Sequence, residues 1–514
     1  MANRGRGPGL HPAVQHALVD RRAVLRAMGW GAAGLAATAI VGCGGDDDGA
    51  GRGDGGRGGS TTSTTPGPAA GIADYDPDVP YWEQGGFAPV AEEVTLTDLE
   101  VTGAIPSALS GLYVRNGSNP ASGTSVHWFM GDGMVHGLRI EGGRAQWYRN
   151  RYVRTTLYEN GWSFAEGGIP GGGITQSNVS VIHHAGRLLT LGEVGLPFEL
   201  EPAELGTVGA YDFGGRLTTW MTAHPKIDPA TGSMHFFGYG FADPLLTYHV
   251  ADAAGRLVHS TPIDLPVATM IHDFAITDRD VVFWVGPVLF GVEGSVPGFP
   301  YGWAPDDGPT QVGVMPLGGD GSTIRWHQLE PSFVFHGTNA HRDGDDVVAR
   351  VNVLDSAFGP DGDLPASRLT EWRIGTAGAS LTFAAEQLND VDMDLPAIDR
   401  RYTGRAERHA WYVTTDEDGP WGFEFAGILH RDASTGAEQR WEPGPLERAG
   451  EVSFVAEGDG EGEGWLLTYV YDRTTDTSNL AIFDAGDVAA GPVARIHLPV
   501  RVPYGFHGVW VPDA

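Results

Sequence analysis

Four of the chain's 18 histidines stand in strand-and-turn contexts that point them one way: His224 in AHPKIDP, His272 in MIHDFAI, His336 in FVFHGTN and His507 in GFHGVWV. Imidazole is a neutral ligand of intermediate softness, suited to iron, zinc, copper and nickel. Separations of 48, 64 and 171 residues exclude a local metal clip of the zinc-finger kind. A shared site therefore needs a fold that brings distant strand ends to one point. His249, His259, His327, His409, His430 and His497 sit in alternating strand patterns and read as packing or surface residues.

The elements available to position the four are strands. With 77 glycines, 34 prolines and no long apolar-periodic run after residue 45, the 514-residue chain reads as all-β. Short runs such as GLYVRNG, GRLLTLGE, SMHFFGYG, DVVFWVG and HAWYVTT recur, joined by turn sequences such as DAAG, TDRD and HRDGDD. No further linker interrupts residues 85–514, which read as one domain. That length suits a β-propeller of seven four-stranded blades, at about 40–60 residues each; a pair of β-sandwiches fits the same pattern. A propeller axis offers what the histidines need, one inner-strand residue from each of several blades. Such rings commonly close by pairing a terminal strand into a blade begun by the other end of the chain, which removes an exposed edge. RIHLPVRVPYGFHGVWV, carrying His507, is the expected closing strand.

Residues 1–43 are a separate object. Arg21 and Arg22 precede an apolar stretch of signal-peptide length, too short for a membrane span, that ends in IVGC with Cys43, the chain's one cysteine. The pattern resembles a twin-arginine export signal joined to a lipoprotein box. It implies lipidation at Cys43 and a protein held on the outer side of a bacterial cytoplasmic membrane. Residues 44–84, rich in Gly, Asp, Ser and Thr, read as a disordered tether. A net charge of -32 excludes nucleic acid as a partner and disfavours anionic lipid head groups. Membrane contact is left to the lipid or to apolar surface.

The four histidine segments, with GLYVRNGSNP (111–120), HWFMGDGMVHGLRI (127–140) and YRNRYVRT (148–155), jointly resemble the carotenoid cleavage oxygenases from about residue 85 to the C-terminus. The resemblance implies a seven-bladed β-propeller under a helix-and-loop dome. It also implies one Fe(2+) per chain, with His224, His272, His336 and His507 as its ligands and as the catalytic residues. Family glutamates that hold the other ring nitrogens match Glu193, Asp394 and Glu451. Asp394 departs from the pattern by one methylene, so either the backbone moves closer, a water bridges, or the register shifts to Asp392. His127, His136, His183, His184, His235 and His341 lie near the motif segments but off the four positions. GDGM at 131–134 is implied to be a tight turn placing Trp128, Phe129 and Met134 near the dome. The implied reaction adds O2, the co-substrate, across one conjugated C=C bond, which breaks into two carbonyl fragments without a protein acid or base.

One branch of that family cleaves phenolic stilbenes, using a tyrosine and a lysine to ionise the phenol. The matching positions here are Val126 and Leu157, and the chain's single lysine, Lys226, follows a ligand candidate instead. An apolar polyene, a carotenoid or apocarotenoid, is the expected substrate. A stilbene or other styrenic phenol is the alternative, and a lipid-anchored binding propeller without chemistry is a third reading. The stretch WVGPVLFGVEGSVPGFPYGW (284–303) reads as a loop. It is either a patch through which an insoluble substrate leaves a membrane or a dome loop packed on the propeller.

Overall fold

The computed structural model describes residues 75–76, 78–161, 175–292, 299–358, 364–416 and 424–513; Cys43 and the export pattern lie outside them. Seven antiparallel sheets are the blades of a propeller. In ring order their innermost strands are Gly508–Pro512, Ser180–His184, Lys226–Ile227, Phe274–Ile276, Phe333–Asp343, Met393–Ile398 and Ser453–Ala456. All seven line one channel along the axis.

Each middle strand is sandwiched between neighbouring blades, so its sequence is apolar on both faces. Met234–Tyr239 and Leu246–Ala251 are buried at every position. The core is correspondingly spread between blades. Phe237 and Tyr248 of the third blade pack with Phe274 and Phe283 of the fourth, and Trp284 of the fourth with Trp372 of the fifth.

Closure uses both ends of the chain. Gly508–Pro512 pairs with Gly111–Ser118 of the first blade, and Val101–Gly103 pairs with Ala494–Leu498 of the last. The closing strand is fixed further where Asn116 N donates to His507 O (3.0 Å) and His507 N donates to Val179 O (3.1 Å). Arg139 forks onto Asp513 at 2.5 and 2.9 Å. His507 is therefore held from both sides rather than left on a frayed terminus.

Several expectations are corrected. Packed chain begins before residue 85: Tyr81 and Trp82 join an aromatic cluster with Phe87 and Trp128, and Trp82 Nε1 donates to Ser125 O. Tyr75 donates to Glu424. The stretch 284–303 is not a single loop. Trp284 and Val285 end a buried blade strand, Asp280–Val285, whose unbroken apolar run hides its period. Val288–Phe290 pairs with Tyr301–Trp303 in a hairpin whose Val288, Leu289 and Tyr301 are buried; residues 293–298 lie outside the described residues. Among the described residues one α-helix is present, the four-residue Thr156–Glu159.

Candidate metal centre

The four histidines come from four inner strands. His224 and His272 precede Lys226–Ile227 and Phe274–Ile276, His336 lies within Phe333–Asp343, and His507 precedes Gly508–Pro512. His336 sits where pairing with Asp346–Leu354 shifts register between Val334 and Gly337, a bulge that re-aims the side chain to the axis. A Cβ on Gly337 would stand 2.4 Å from the Trp284 ring, so only glycine allows this bulge to seat.

The Nε2 atoms of His224 and His272 are 3.0 Å apart, those of His272 and His336 3.3 Å, and those of His336 and His507 3.2 Å. All four nitrogens lie within 4.8 Å of one another. Behind them, His272 Nδ1 donates to Glu193 Oε2 (2.8 Å), His336 Nδ1 to Asp394 Oδ1 (2.9 Å) and His507 Nδ1 to Glu451 Oε1 (2.7 Å). His224 has no such carboxylate among the described residues. With Nδ1 carrying the proton, Nε2 of each supported ring is a bare lone pair turned inwards. Bare nitrogens this close repel unless a cation lies among them. Nitrogens about 2.1 Å from a common centre, at right angles, stand about 3 Å apart, so the donor set fits a divalent metal that accepts imidazole, iron and zinc included.

Electrostatics agree. Burial, followed by the neighbouring imidazoles, holds the pKa values of His224 and His336 well below the usual histidine value, so both stay neutral. At His272 burial also lowers the pKa, but the carboxylates of Glu193, Asp273 and Asp394 together outweigh it and the net shift is upward. Burial pushes Asp394 up to about 7.

The Asp394 contact is direct, and Asp392 is not its substitute. Asp392 instead accepts from Ser367 N. The missing methylene is made up by the backbone: pairing with His409–Thr415 slips between Asp394 and Ala397, and Leu395 takes φ 52°. A bulge with a non-glycine residue in the left-handed region carries Asp394 inwards.

Residues 87–512 match the family model of retinal pigment epithelial membrane protein. A carotenoid cleavage oxygenase of Mycobacterium tuberculosis is 35% identical over 496 residues, covering 84% of this chain and 97% of its own. The chain belongs to the carotenoid cleavage oxygenase family. An isoeugenol monooxygenase of Pseudomonas nitroreducens is 32% identical, with 83% of this chain and 97% of its own covered. The solved lignostilbene dioxygenase of Pseudomonas brassicacearum superposes with a TM-score of 0.77 at 30% identity, over 86% of this chain and 100% of its own. This carotenoid cleavage oxygenase is a double-bond-cleaving dioxygenase.

An apolar cavity, about 1170 Å³ of empty space with its mouth included, abuts His272, His336 and His507. Trp128, Phe129, Phe241, Phe299, Phe335 and Phe506 wall it. Trp128 and Phe129 are where the GDGM turn was expected to put them, but the methionine beside them is Met130; Met134 is buried in the strand Gly133–Glu141. Asp132 accepts Ala121 N in that turn and touches no histidine of the cluster. Val126 and Leu157 are not on the cavity wall, and Lys226 lies in the axial channel, paired with Asp273 at 2.7 Å. His127 caps Phe129 N, His136 and His235 bond Tyr148 and Tyr248, and His184 bonds Gly232 O. His183 and His341 also lie outside the cluster.

Two contributors escaped the sequence reading. Asp273 takes Lys226 Nζ and Phe274 N on Oδ1 and Gly337 N on Oδ2, tying together the three strands that carry His224, His272 and His336. Its place directly after His272 was the available signal. Tyr239 donates to Glu193 Oε1 (2.8 Å) and stands 3.2 Å from the hydroxyl of Tyr301, which lines the cavity. Nothing in the local sequence links those tyrosines to Glu193.

Proposed function

We propose that the chain is a ferrous-iron dioxygenase that cleaves a conjugated C=C bond of a carotenoid or apocarotenoid into two carbonyl products. The observation that carries the reading is the aromatic cavity against three of the four histidines, with no cationic side chain among its described lining. Such a wall suits a hydrocarbon polyene, whose binding rests on burial of apolar area. His224, His272, His336 and His507 would hold the iron, which when bound supplies the activation of dioxygen. Glu193, Asp394 and Glu451 keep the Nδ1 protons and so keep the Nε2 lone pairs available. Trp128, Phe129, Phe299 and Phe335 lay the polyene against the centre and exclude water. Both oxygen atoms end in the two carbonyls, so no side chain has a proton to move.

A phenolic substrate is the second reading, favoured by the named activities of the isoeugenol and lignostilbene relatives and by the Tyr301 hydroxyl in the cavity. Against it stands the absence of a lysine near a bound phenol. The deciding experiment takes the chain from residue 75, measures iron and zinc per chain, and incubates it aerobically with a carotenoid, an apocarotenal and a hydroxystilbene. One iron per chain and aldehydes from a polyene support the proposal; cleavage of the hydroxystilbene alone moves the assignment to the phenolic branch. Zinc-filled protein that cleaves nothing overturns both. Export and lipidation at Cys43 belong to the same proposal: a lipid anchor on the tether that follows it, with apolar contact from the 284–303 stretch, would hold the cavity mouth near a bilayer that dissolves the substrate.

A further inference from the structure

The histidine cluster has a second side. The axial channel, about 1800 Å³ of empty space with its mouth included, is lined by His224, His336 and His507 but not by His272. The cluster thus forms the partition between an apolar cavity and a polar channel. The channel's charged residues are Lys226, Asp273, Arg400, Arg401 and Glu451.

Four of these five are matched. Lys226 is paired with Asp273. Arg401 grips Asp399 (2.6 Å) and donates to Gly458 O and Gly460 O at 2.8 and 2.9 Å. Glu451 takes His507 Nδ1 on one oxygen and Gly508 N on the other, both at 2.7 Å. Arg400 alone makes no ion pair among the described residues, and its guanidinium gives one long hydrogen bond, Nη2 to Gly508 O at 3.3 Å. It is exposed and lines the channel, where desolvation by the surrounding protein lowers its pKa against the pull of Glu451. A planar fork of five N–H donors, mostly unused and confined in a channel, matches an oxyanion bidentately and focuses its field there.

We propose that the axial channel binds a small oxyanion, of formate or bicarbonate size, on the Arg400 fork, across the metal centre from the substrate cavity. Through Gly508 and Glu451 the anion adjoins the support of His507. The test is equilibrium dialysis of the iron-loaded full chain, kept anaerobic, against radiolabelled formate at constant ionic strength. The expected result is one saturable site per chain, displaced by unlabelled bicarbonate and lost in Arg400→Gln with iron content unchanged. Equal binding by Arg400→Gln, as formate on the metal itself would give, overturns the proposal, as does uptake that never saturates. Arg400→Lys covers the case in which Arg400→Gln does not fold: it keeps the charge but loses the fork, so formate should bind at least about threefold more weakly, and undiminished affinity refutes the site.

Discussion

The three carboxylates behind the histidines differ in how they use their oxygens, and that difference ranks their amide variants. Asp394 takes both His336 Nδ1–H and Leu395 N–H on Oδ1. The amide oxygen of Asp394→Asn can take both donors as well, so only the charge is lost. Glu193 takes His272 on Oε2 and the Tyr239 hydroxyl on Oε1. In Glu193→Gln the hydroxyl can rotate and accept from the new NH2. Glu451 has no such escape: His507 Nδ1–H and Gly508 N–H occupy its two oxygens, both donors have fixed hydrogens, and Glu451→Gln turns an NH2 towards one of them. Exchanging a charge-assisted for a neutral hydrogen bond costs about 1–1.5 kcal/mol, while stranding a buried donor adds about 1–3 kcal/mol. The expected loss of iron affinity is therefore about tenfold for Asp394→Asn and Glu193→Gln and about a hundredfold or more for Glu451→Gln. The assay is competition against a graded ferrous chelator, reading iron retained per chain at equilibrium. Equal losses in the three variants, or the smallest loss at Glu451, would refute the assignment of hydrogen bonds.

Gly337→Ala places a methyl group 2.4 Å from Trp284 and should destabilise by about 1–3 kcal/mol, read by thermal denaturation, with iron content falling as the His336 bulge is displaced. Deleting residues 508–514 removes the closing strand and exposes the edge of Gly111–Ser118, so the product should be insoluble or iron-free by metal analysis of the soluble fraction. Cys43→Ser should move the exported protein from the membrane fraction to the soluble one on fractionation while leaving iron content unchanged. An unaltered distribution removes the lipid anchor from the reading.

The strand content could be read from the chain because turn residues punctuate short runs, while the choice of a ring over a pair of sandwiches, and of the four histidines as a set, came from the family resemblance of their segments. What could not be read depends on contacts between strands and between blades. Trp284 and Val285 looked like loop because a strand buried on both faces has no alternation to show. Asp394 looked too short because the slip after it and the φ of Leu395 arise from pairing with a strand some fifteen residues away. Nothing local in the sequence separates Arg400 from Arg401, and only the fold shows the second guanidinium paired with Asp399 and the first without an ion pair among the described residues.

Ring geometry explains why the site takes this composition. Seven inner strands converge on an axis where one ion accepts no more than a few ligands, so the ring must divide its positions between ligands and supports. Going round from the first blade, the strands bring His507, then no ligand, then His224, His272 and His336, then Asp394 and Glu451. Each inner-strand carboxylate supports the histidine of an adjacent blade, Asp394 that of the fifth and Glu451 that of the first across the closure. The second blade contributes Glu193 from the turn after its second strand, reaching past the His224 strand to His272. Among the described residues His224 is left without a carboxylate and faces the polar channel, while His272, the one histidine of the four absent from that channel, has the longest line of support, through Glu193 and Tyr239 to the cavity wall at Tyr301. The fold thereby makes the two sides of the centre chemically unequal, an apolar cavity on one and a polar channel on the other.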